Sequence, residues 1–380
     1  MRCSISGGGT GGHIYPALAV GQALSDARPG LELDYIGGVR GFERRLVSAA
    51  RMPDGRPLAY HQLVVRSLRT TGLDVHLVLD PARLFASAPQ AWWLLGRLRP
   101  AAIFSTGGYL AVPLIAAARA RGIPSIVWEG NVIPGRATRA LGRLATQVAV
   151  SFPPTQTAFS AGRSFVSGTP IRSFAGVDRA VARHSFGVAD ADRLLFVFGG
   201  SQAVTRLNAA LLGALPRLLG DWRVLHLAGD VGMPDALAAR DSLPPELAER
   251  YRPEPFLTDR MPDALVAADL VVGRAGSSTC AELAVVGVAS ILVPYPYAGA
   301  HQRANAAWLA TQGAARVVPD DELDADRLAG VVLVLRDDDI RRSMAAAARA
   351  LGRPDAAQRI AAELLALADA HAARSQRAAS

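Results

Sequence analysis

Short apolar runs alternate with longer Ala- and Arg-rich segments along the chain. Runs that read as buried strands lie at Arg2–Ser6, Leu31–Ile36, Ala101–Ser105 and Ser125–Trp128. A second series lies at Leu194–Phe198, Arg223–Ala228, Leu270–Val272 and Ala289–Val293. Between them, Pro16–Ala27, Pro113–Arg121, Thr205–Leu219 and Glu282–Val286 carry apolar residues at helical spacing. Strands that alternate with helices in this way predict an α/β fold, with parallel sheets covered by helices on both faces.

The second series restarts like the first, with a strand running into a glycine turn at Phe196-Val-Phe-Gly-Gly-Ser201. The stretch from Phe152 to Pro170 is rich in Pro, Gly, Ser and Thr, which is linker chemistry. The pattern therefore predicts two Rossmann-like domains, over residues 1–165 and 166–353. The Ala-rich helical segment 354–380 is expected to pack back on the N-terminal domain.

Composition narrows the chemistry. The chain has 380 residues, half of them hydrophobic and 19% charged, which excludes a disordered polymer. All 41 basic residues are arginine, so neither a Schiff-base lysine nor a Walker-A lysine is available. The formal charge of +8 is spread along the chain and is not gathered into a nucleic-acid tract; an anionic membrane surface or a diphosphate substrate fits it equally well. Two cysteines, Cys3 and Cys280, cannot build a disulfide framework or a four-thiolate zinc site. No apolar run precedes Gly7 and none reaches about 18 residues, so neither a signal peptide nor a spanning helix is expected.

Three strand-to-helix turns carry the candidate chemistry. Ser6-Gly-Gly-Gly-Thr-Gly-Gly-His13 combines glycines that let a ligand approach the backbone with a residue able to act as a base near neutral pH. Its spacing is not that of a dinucleotide fingerprint. A glycine-rich turn can also serve tight packing alone. Gly199-Gly-Ser-Gln202 repeats the strand-end glycine and hydroxyl pattern. Gly273-Arg-Ala-Gly-Ser277-Ser278-Thr279-Cys280-Ala-Glu282 sets hydroxyls at a helix start, suited to phosphate, with a carboxylate one turn further in. That carboxylate can accept from a ribose diol or simply cap the helix. The Asp190-Ala-Asp192 and Asp324-Ala-Asp326 pairs read as loop or capping carboxylates, and no metal is expected. His61, His76, His184, His226 and His371 show no ligand spacing and read as surface or satisfied core residues.

With these motifs in view, the chain resembles the MurG family of UDP-GlcNAc-dependent glycosyltransferases. Gly7-Gly-Gly-Thr-Gly-Gly-His13 with Pro16-Ala-Leu-Ala-Val20 is similar to the family's first glycine loop. Gly107-Gly-Tyr109, Glu129-Gly-Asn131, Gly168-Thr-Pro-Ile-Arg172, Gly199-Gly-Ser-Gln202, Arg274 to Glu282 and His301-Gln302 follow in family order. The resemblance implies a GT-B fold, its two domains facing across a cleft, with the acceptor on the N-terminal side and UDP-GlcNAc on the C-terminal side. It implies His13 as general base, accompanied by Glu129, and Tyr109 on the acceptor side. Thr10, Gly11, Gly12, Asn131, Arg172, Ser201, Leu257, Ser277, Ser278, Thr279, Glu282 and Gln302 would bind the donor. The implied reaction is inverting transfer of GlcNAc to an undecaprenyl-linked muramoyl-peptide, lipid I, giving lipid II in peptidoglycan synthesis. No cofactor is implied.

Departures from the family pattern gather on the acceptor side: Trp128 and Gly130 stand for His and Gln, Leu110-Ala111-Val112 for Ser-Gly, and Ala203 for Gly. The first of these is expected to strip polar partners from the acceptor pocket and add a large indole. A paralogue acting on a modified lipid or a secondary metabolite, a UDP-GlcNAc epimerase of the same architecture, and a non-catalytic nucleotide binder stand as alternatives. Apolar Leu63–Leu68, Leu77–Leu79, Leu84-Phe85 and Trp92-Trp93 are interspersed with Arg66, Arg69, Arg83 and Arg97. They read either as an interfacial patch or as a core helix with a basic edge. The family resemblance implies peripheral binding at the cytoplasmic face of the plasma membrane.

Overall fold

The computed structural model describes the chain except residues 9–10, 40, 53–54, 65–75, 200–204, 297–300 and 380, and gives only the backbone of 41–42, 76–85 and 378–379. It divides into two compact units, Met1–Arg172 with Pro354–Ser380, and Ser173–Arg353.

Unit 1 holds seven strands: β1 (Arg2–Ser6), β2 (Glu32–Gly37), β3 (Ala59–Gln62), β4 (Ala102–Ser105), β5 (Ser125–Glu129), β6 (Gln147–Val150) and β7 (Ser164–Val166). They pair in the order β3-β2-β1-β4-β5-β6-β7, all parallel. Alternation within the strands feeds two hydrophobic layers. Ile5, Phe104, Ile126 and Trp128 pack on one face, while Ile36, Ile103 and Val127 pack on the other. The first layer is closed by Ile14, Val20 and Leu24 of the Gly11–Ala27 helix and by Ile360, Ala361 and Leu364 of the Ala356–Ala379 helix. The last helix thus completes unit 1, with Arg28 and Asp369 paired at 2.7 Å on its rim. The chain leaves the unit at Arg172 and not at 165, because β7 still pairs with β6 through Val150 and Val166.

Unit 2 holds β8 (Leu194–Phe198), β9 (Arg223–Leu227), β10 (Tyr251–Glu254), β11 (Leu270–Gly273), β12 (Ala289–Leu292) and β13 (Arg316–Val317). Their order is β10-β9-β8-β11-β12-β13, again all parallel. Leu195, Val197, Val224, Val272 and Ile291 build its core against Leu207 and Leu211 of the Thr205–Leu218 helix and Leu328 and Val332 of the Ala325–Val334 helix.

Both orders contain one point where the direction of winding reverses: between β1 and β4, and between β8 and β11. There the loops at the carboxyl ends of neighbouring strands leave toward opposite faces and open a crevice, the usual ligand position in open α/β sheets. Each lies at one of the glycine turns singled out in the sequence.

Candidate active site

At the first switch point Ser6 pairs with Ser105, and the Thr106 amide continues the ladder to the Ser6 carbonyl at 2.9 Å. The two following loops are packed so closely that a Cβ on Gly7 would lie 2.5 Å from the His13 carbonyl oxygen and 2.7 Å from Thr106 Oγ1. Gly7 therefore serves tight packing, and that packing sets His13. The His13 Nδ1 lies 2.9 Å from the Thr106 carbonyl oxygen. A carbonyl can only accept, so Nδ1 carries the proton of the neutral ring and Nε2 keeps its lone pair. Nε2 has no hydrogen-bond partner among the described residues. Burial lowers the His13 pKa from its ordinary value, opposed by the Thr106 carbonyl and the Glu129 charge. The geometry is that of a neutral imidazole held ready to take a proton.

Glu129, at the end of β5, is buried and fully engaged. Its Oε1 accepts from the Asn131 amide at 3.0 Å and Asn131 Nδ2 at 3.1 Å, and its Oε2 from the Gly135 amide at 3.0 Å. Thr155 Oγ1 donates to the Asn131 and Val132 carbonyls from the far side. Glu129 thus shapes the loop that carries Asn131. After β4, Gly107 and Gly108 adopt φ values of +83° and +74°, and the reversal leaves Tyr109 exposed. Gly11 and Gly12 open the helix that carries His13. Thr10 lies outside the described residues.

Trp128 corrects an expectation. Its side chain is in the core and not in a pocket, with Nε1 donating to Ser151 Oγ at 3.1 Å and to the Gly168 carbonyl at 3.2 Å. The ring N–H anchors the start of the Gly168–Arg172 segment, and the indole is packed away in the core.

At the second switch point Phe198 pairs with Gly273. The turn after β8 continues into 200–204, so Ser201 lies outside the described residues. The turn after β11 runs through Arg274 and Ala275 into the Ser277–Val286 helix, with Gly276 at its cap. Ser277, Ser278 and Thr279 occupy its first turn, half-buried, and Glu282 is buried one turn on. Cys280 is buried beside them, its thiol pushed up to about 12 by desolvation, so it is no nucleophile. Gln302 Oε1 accepts the Ala275 amide at 3.2 Å and the Tyr295 amide at 2.9 Å, fastening the loops after β11 and β12 to each other. Its Nε2 makes no hydrogen bond among the described residues. Leu257 lies in the turn after β10, beside the exposed Phe256, and Arg172 closes unit 1.

The Asp pairs do the work of loop carboxylates. Asp192 holds Arg223 at 2.6 Å, Asp324 caps the Ala325–Val334 helix through the Arg327 amide, and Asp326 meets Arg217. Among the described residues, no three His, Cys, Asp or Glu side chains gather as a metal site. Sequence reasoning missed the buried Glu43, whose Oε1 accepts the Gly38 amide at 2.9 Å and whose carboxylate lies against Gly8. It also missed Thr106, which orients His13. Both come from segments distant from the motifs they support, and no spacing rule marks them.

Two family models match: glycosyltransferase family 28 N-terminal domain over residues 3–150 and glycosyltransferase family 28 C-terminal domain over 194–360. The UDP-N-acetylglucosamine–N-acetylmuramyl-(pentapeptide) pyrophosphoryl-undecaprenol N-acetylglucosamine transferase of Moorella thermoacetica is 40% identical over 370 residues, covering 95% of this chain and 97% of the relative. The chain belongs to the MurG family of glycosyltransferases. The same-named transferase of Salinibacter ruber is 37% identical over 367 residues, 96% of each chain. The crystal structure of Acinetobacter baumannii MurG matches with a TM-score of 0.77 at 29% identity, covering 96% of this chain and 99% of that one. The two-unit fold is thus GT-B-like. A putative UDP-N-acetylglucosamine 2-epimerase from Listeria monocytogenes matches with a TM-score of 0.69 at 12% identity, 94% of each chain, a likeness of fold alone.

Proposed function

We propose that this MurG-family enzyme transfers GlcNAc from UDP-GlcNAc to an undecaprenyl-diphospho-muramoyl-peptide, converting lipid I to lipid II with inversion at the anomeric carbon. The observation that carries the chemistry is the fixed tautomer of His13, with Nδ1 committed to the Thr106 carbonyl and Nε2 available. The acceptor hydroxyl attacks the anomeric carbon, its proton passes to His13 Nε2, and the bond to the diphosphate oxygen breaks with its electrons leaving on UDP. The negative charge that develops there is met by the N-terminus of the Ser277–Val286 helix and by the Ser277, Ser278 and Thr279 hydroxyls. Ser201 joins them in this reading. This arrangement requires no metal, and added EDTA is expected to leave turnover unchanged.

The remaining assignments follow the family resemblance. Glu282 takes the ribose diol, the Leu257 backbone the uracil, and Gln302 Nε2 a GlcNAc hydroxyl. Thr10, Gly11, Gly12, Asn131 and Arg172 line the donor's path, and Tyr109 meets the acceptor. Glu129 acts by shaping the Asn131 loop, since its lone pairs already hold three N–H donors.

The acceptor's lipid places the enzyme at a membrane. Among the described residues no helix is long and apolar enough to cross one. The His76–Leu98 helix turns Leu94, Leu95 and Leu98 into the core and leaves Trp92 and Trp93 45% and 61% exposed. Arg121 stacks 4.0 Å over the Trp92 ring and Arg97 lies 5.7 Å from Trp93. Indoles capped by guanidinium groups suit the headgroup region of an anionic leaflet at the cytoplasmic face. Leu63 is buried and does not contribute. Residues 65–75 and the side chains of 76–85 lie outside the described residues.

The deciding experiment offers labelled UDP-GlcNAc to the protein with a lipid I analogue and, separately, with soluble aglycones. Transfer to the lipid analogue, abolished in His13→Gln with UDP binding retained, is the expected result. Transfer only to a soluble aglycone would refute the acceptor, and full transfer by His13→Gln would refute the base.

A further inference from the structure

Three loops meet at the second switch point, and one side chain from outside the family motifs ties them together. Asp320 begins the short 3-10 turn after β13, with its carboxylate mostly covered. Its Oδ1 accepts from Nη1 of Arg274, the residue directly after β11. The same Nη1 also donates to the Val293 carbonyl at 3.2 Å, at the end of β12, and the guanidinium lies 5.6 Å from the Tyr295 ring. From the other side, Arg206 Nη1 donates to the Asp320 carbonyl at 2.8 Å, with its Nε 3.9 Å from Oδ2. Arg206 sits in the first turn of the Thr205–Leu218 helix, two residues past the turn that follows β8.

The Arg274 side chain is almost wholly buried, so its charge needs a matched anion in place. Asp320 supplies it. Because Arg274 is adjacent to Ala275, whose amide is fastened by Gln302, displacing the guanidinium displaces the start of the Ser277–Val286 helix. The carboxylate therefore holds, through two arginines, the start of the turn after β11 and the first turn of the Thr205–Leu218 helix. A plain fold-stabilising ion pair would sit anywhere; this one ties the segments that follow β11, β12 and β13 to the first turn of the Thr205–Leu218 helix.

We infer that Asp320 is a positioning residue for the diphosphate of the donor, acting through Arg274 and Arg206 on the turns that would hold it. The inference rests on unit 2 being the donor-binding unit. The test is calorimetric titration of the full-length protein with UDP and with uridine, alongside thermal melting. In Asp320→Asn, UDP affinity is expected to fall about tenfold or more while uridine affinity stays within about twofold. Arg206→Gln alters a half-exposed side chain whose loss leaves the buried pair intact, and is expected to weaken UDP selectively at an unchanged melting temperature. Equal weakening of UDP and uridine, or no effect in either variant, would overturn the inference. Should Asp320→Asn not fold, the Arg206→Gln titration alone decides it. Failure of the unaltered protein to bind UDP would instead overturn the donor reading itself, and this inference with it.

Discussion

His226 offers a perturbation whose size follows from the structure. It is wholly buried in β9, with Nε2 3.1 Å from Asn208 Oδ1 and Nδ1 2.8 Å from the Tyr251 hydroxyl. Asn208 Nδ2 donates to the Ala228 carbonyl at 2.9 Å, so its oxygen must be the acceptor. Nε2 therefore carries the proton and Nδ1 accepts from Tyr251. Burial disfavours the charge that a second proton would bring and lowers the pKa from 6.5 to about 4. The unfolded chain protonates this ring near 6.5, the folded one only near 4. Between those values the unfolded state binds more protons, so stability falls as pH drops through 6.5 and levels off below about 4. The full difference is about 3 kcal/mol, of which about 2 kcal/mol is lost between pH 7 and pH 5. Carboxylates held low by arginines, such as Asp338 beside Arg341, also weaken the fold in acid, so a comparison is needed. Urea unfolding of the wild type and His226→Gln at both pH values isolates the contribution. The wild type should lose about 2 kcal/mol more than the variant over that interval. Equal losses in the two proteins would refute the reasoning, because the only group removed is the buried ring.

Other predictions concern the two switch points. Gly7→Ala would drive a methyl into the His13 carbonyl and Thr106 Oγ1, lowering kcat about a hundredfold while UDP affinity is unchanged; an unchanged kcat in a transfer assay would refute it. Since desolvation holds His13 below its ordinary value, the base is neutral at and above pH 6.5, and the acid limb of the kcat/KM profile should fall below that point; an inflection above it would exclude His13. Glu282→Gln should weaken UDP about tenfold but 2′-deoxy-UDP much less, as measured by calorimetry, because the lost acceptor pairs with the ribose diol. Gln302→Glu keeps the oxygen that fastens Ala275 and Tyr295 but removes the N–H donor; it should raise the donor KM while UDP affinity and melting temperature hold, and a fall in melting temperature would show that its loop role dominates.

The hydrophobic pattern revealed the middle of each sheet. The eight runs read as strands became β2, β1, β4 and β5 in one unit and β9, β8, β11 and β12 in the other, each set contiguous in its sheet. Strands covered on both faces read as apolar runs, throughout in β8 and over Ile126–Trp128 in β5. The outer strands β3, β10 and β13, reading Ala-Tyr-His-Gln, Tyr-Arg-Pro-Glu and Arg-Val, alternate or turn polar because water reaches one side, and β7 lies in the stretch whose Pro, Gly and Ser content resembles a linker, with β6 just before it. The glycine turns were legible because close backbone approach restricts the residue type, as at Gly7. The residues that fasten those turns were not: Thr106, Glu43 and Asp320 are ordinary in sequence, and only the winding of the sheet brings them to the motif. Trp128 shows the converse error, where a change of residue type inside a motif was read as a change in the pocket although the side chain points into the core.

The two switch points share a way of placing reactive atoms. His13 gives Nδ1 to the neighbouring loop and keeps Nε2; Gln302 gives Oε1 to two neighbouring amides and keeps Nε2. In each case one polar atom of the side chain is spent on the strand-end loops and the other has no hydrogen bond among the described residues. A side chain anchored at one end has already lost its rotamer freedom before substrate arrives, so the ordering cost is met on folding and not on binding. It also explains why the motifs combine glycine with a bifunctional polar residue: the glycine lets the loops close on each other, and that closure brings the anchoring carbonyl or amide within reach. The free nitrogens of His13 and Gln302 are in this sense products of sheet topology, since each side chain is oriented by loops that leave the carboxyl ends of neighbouring strands.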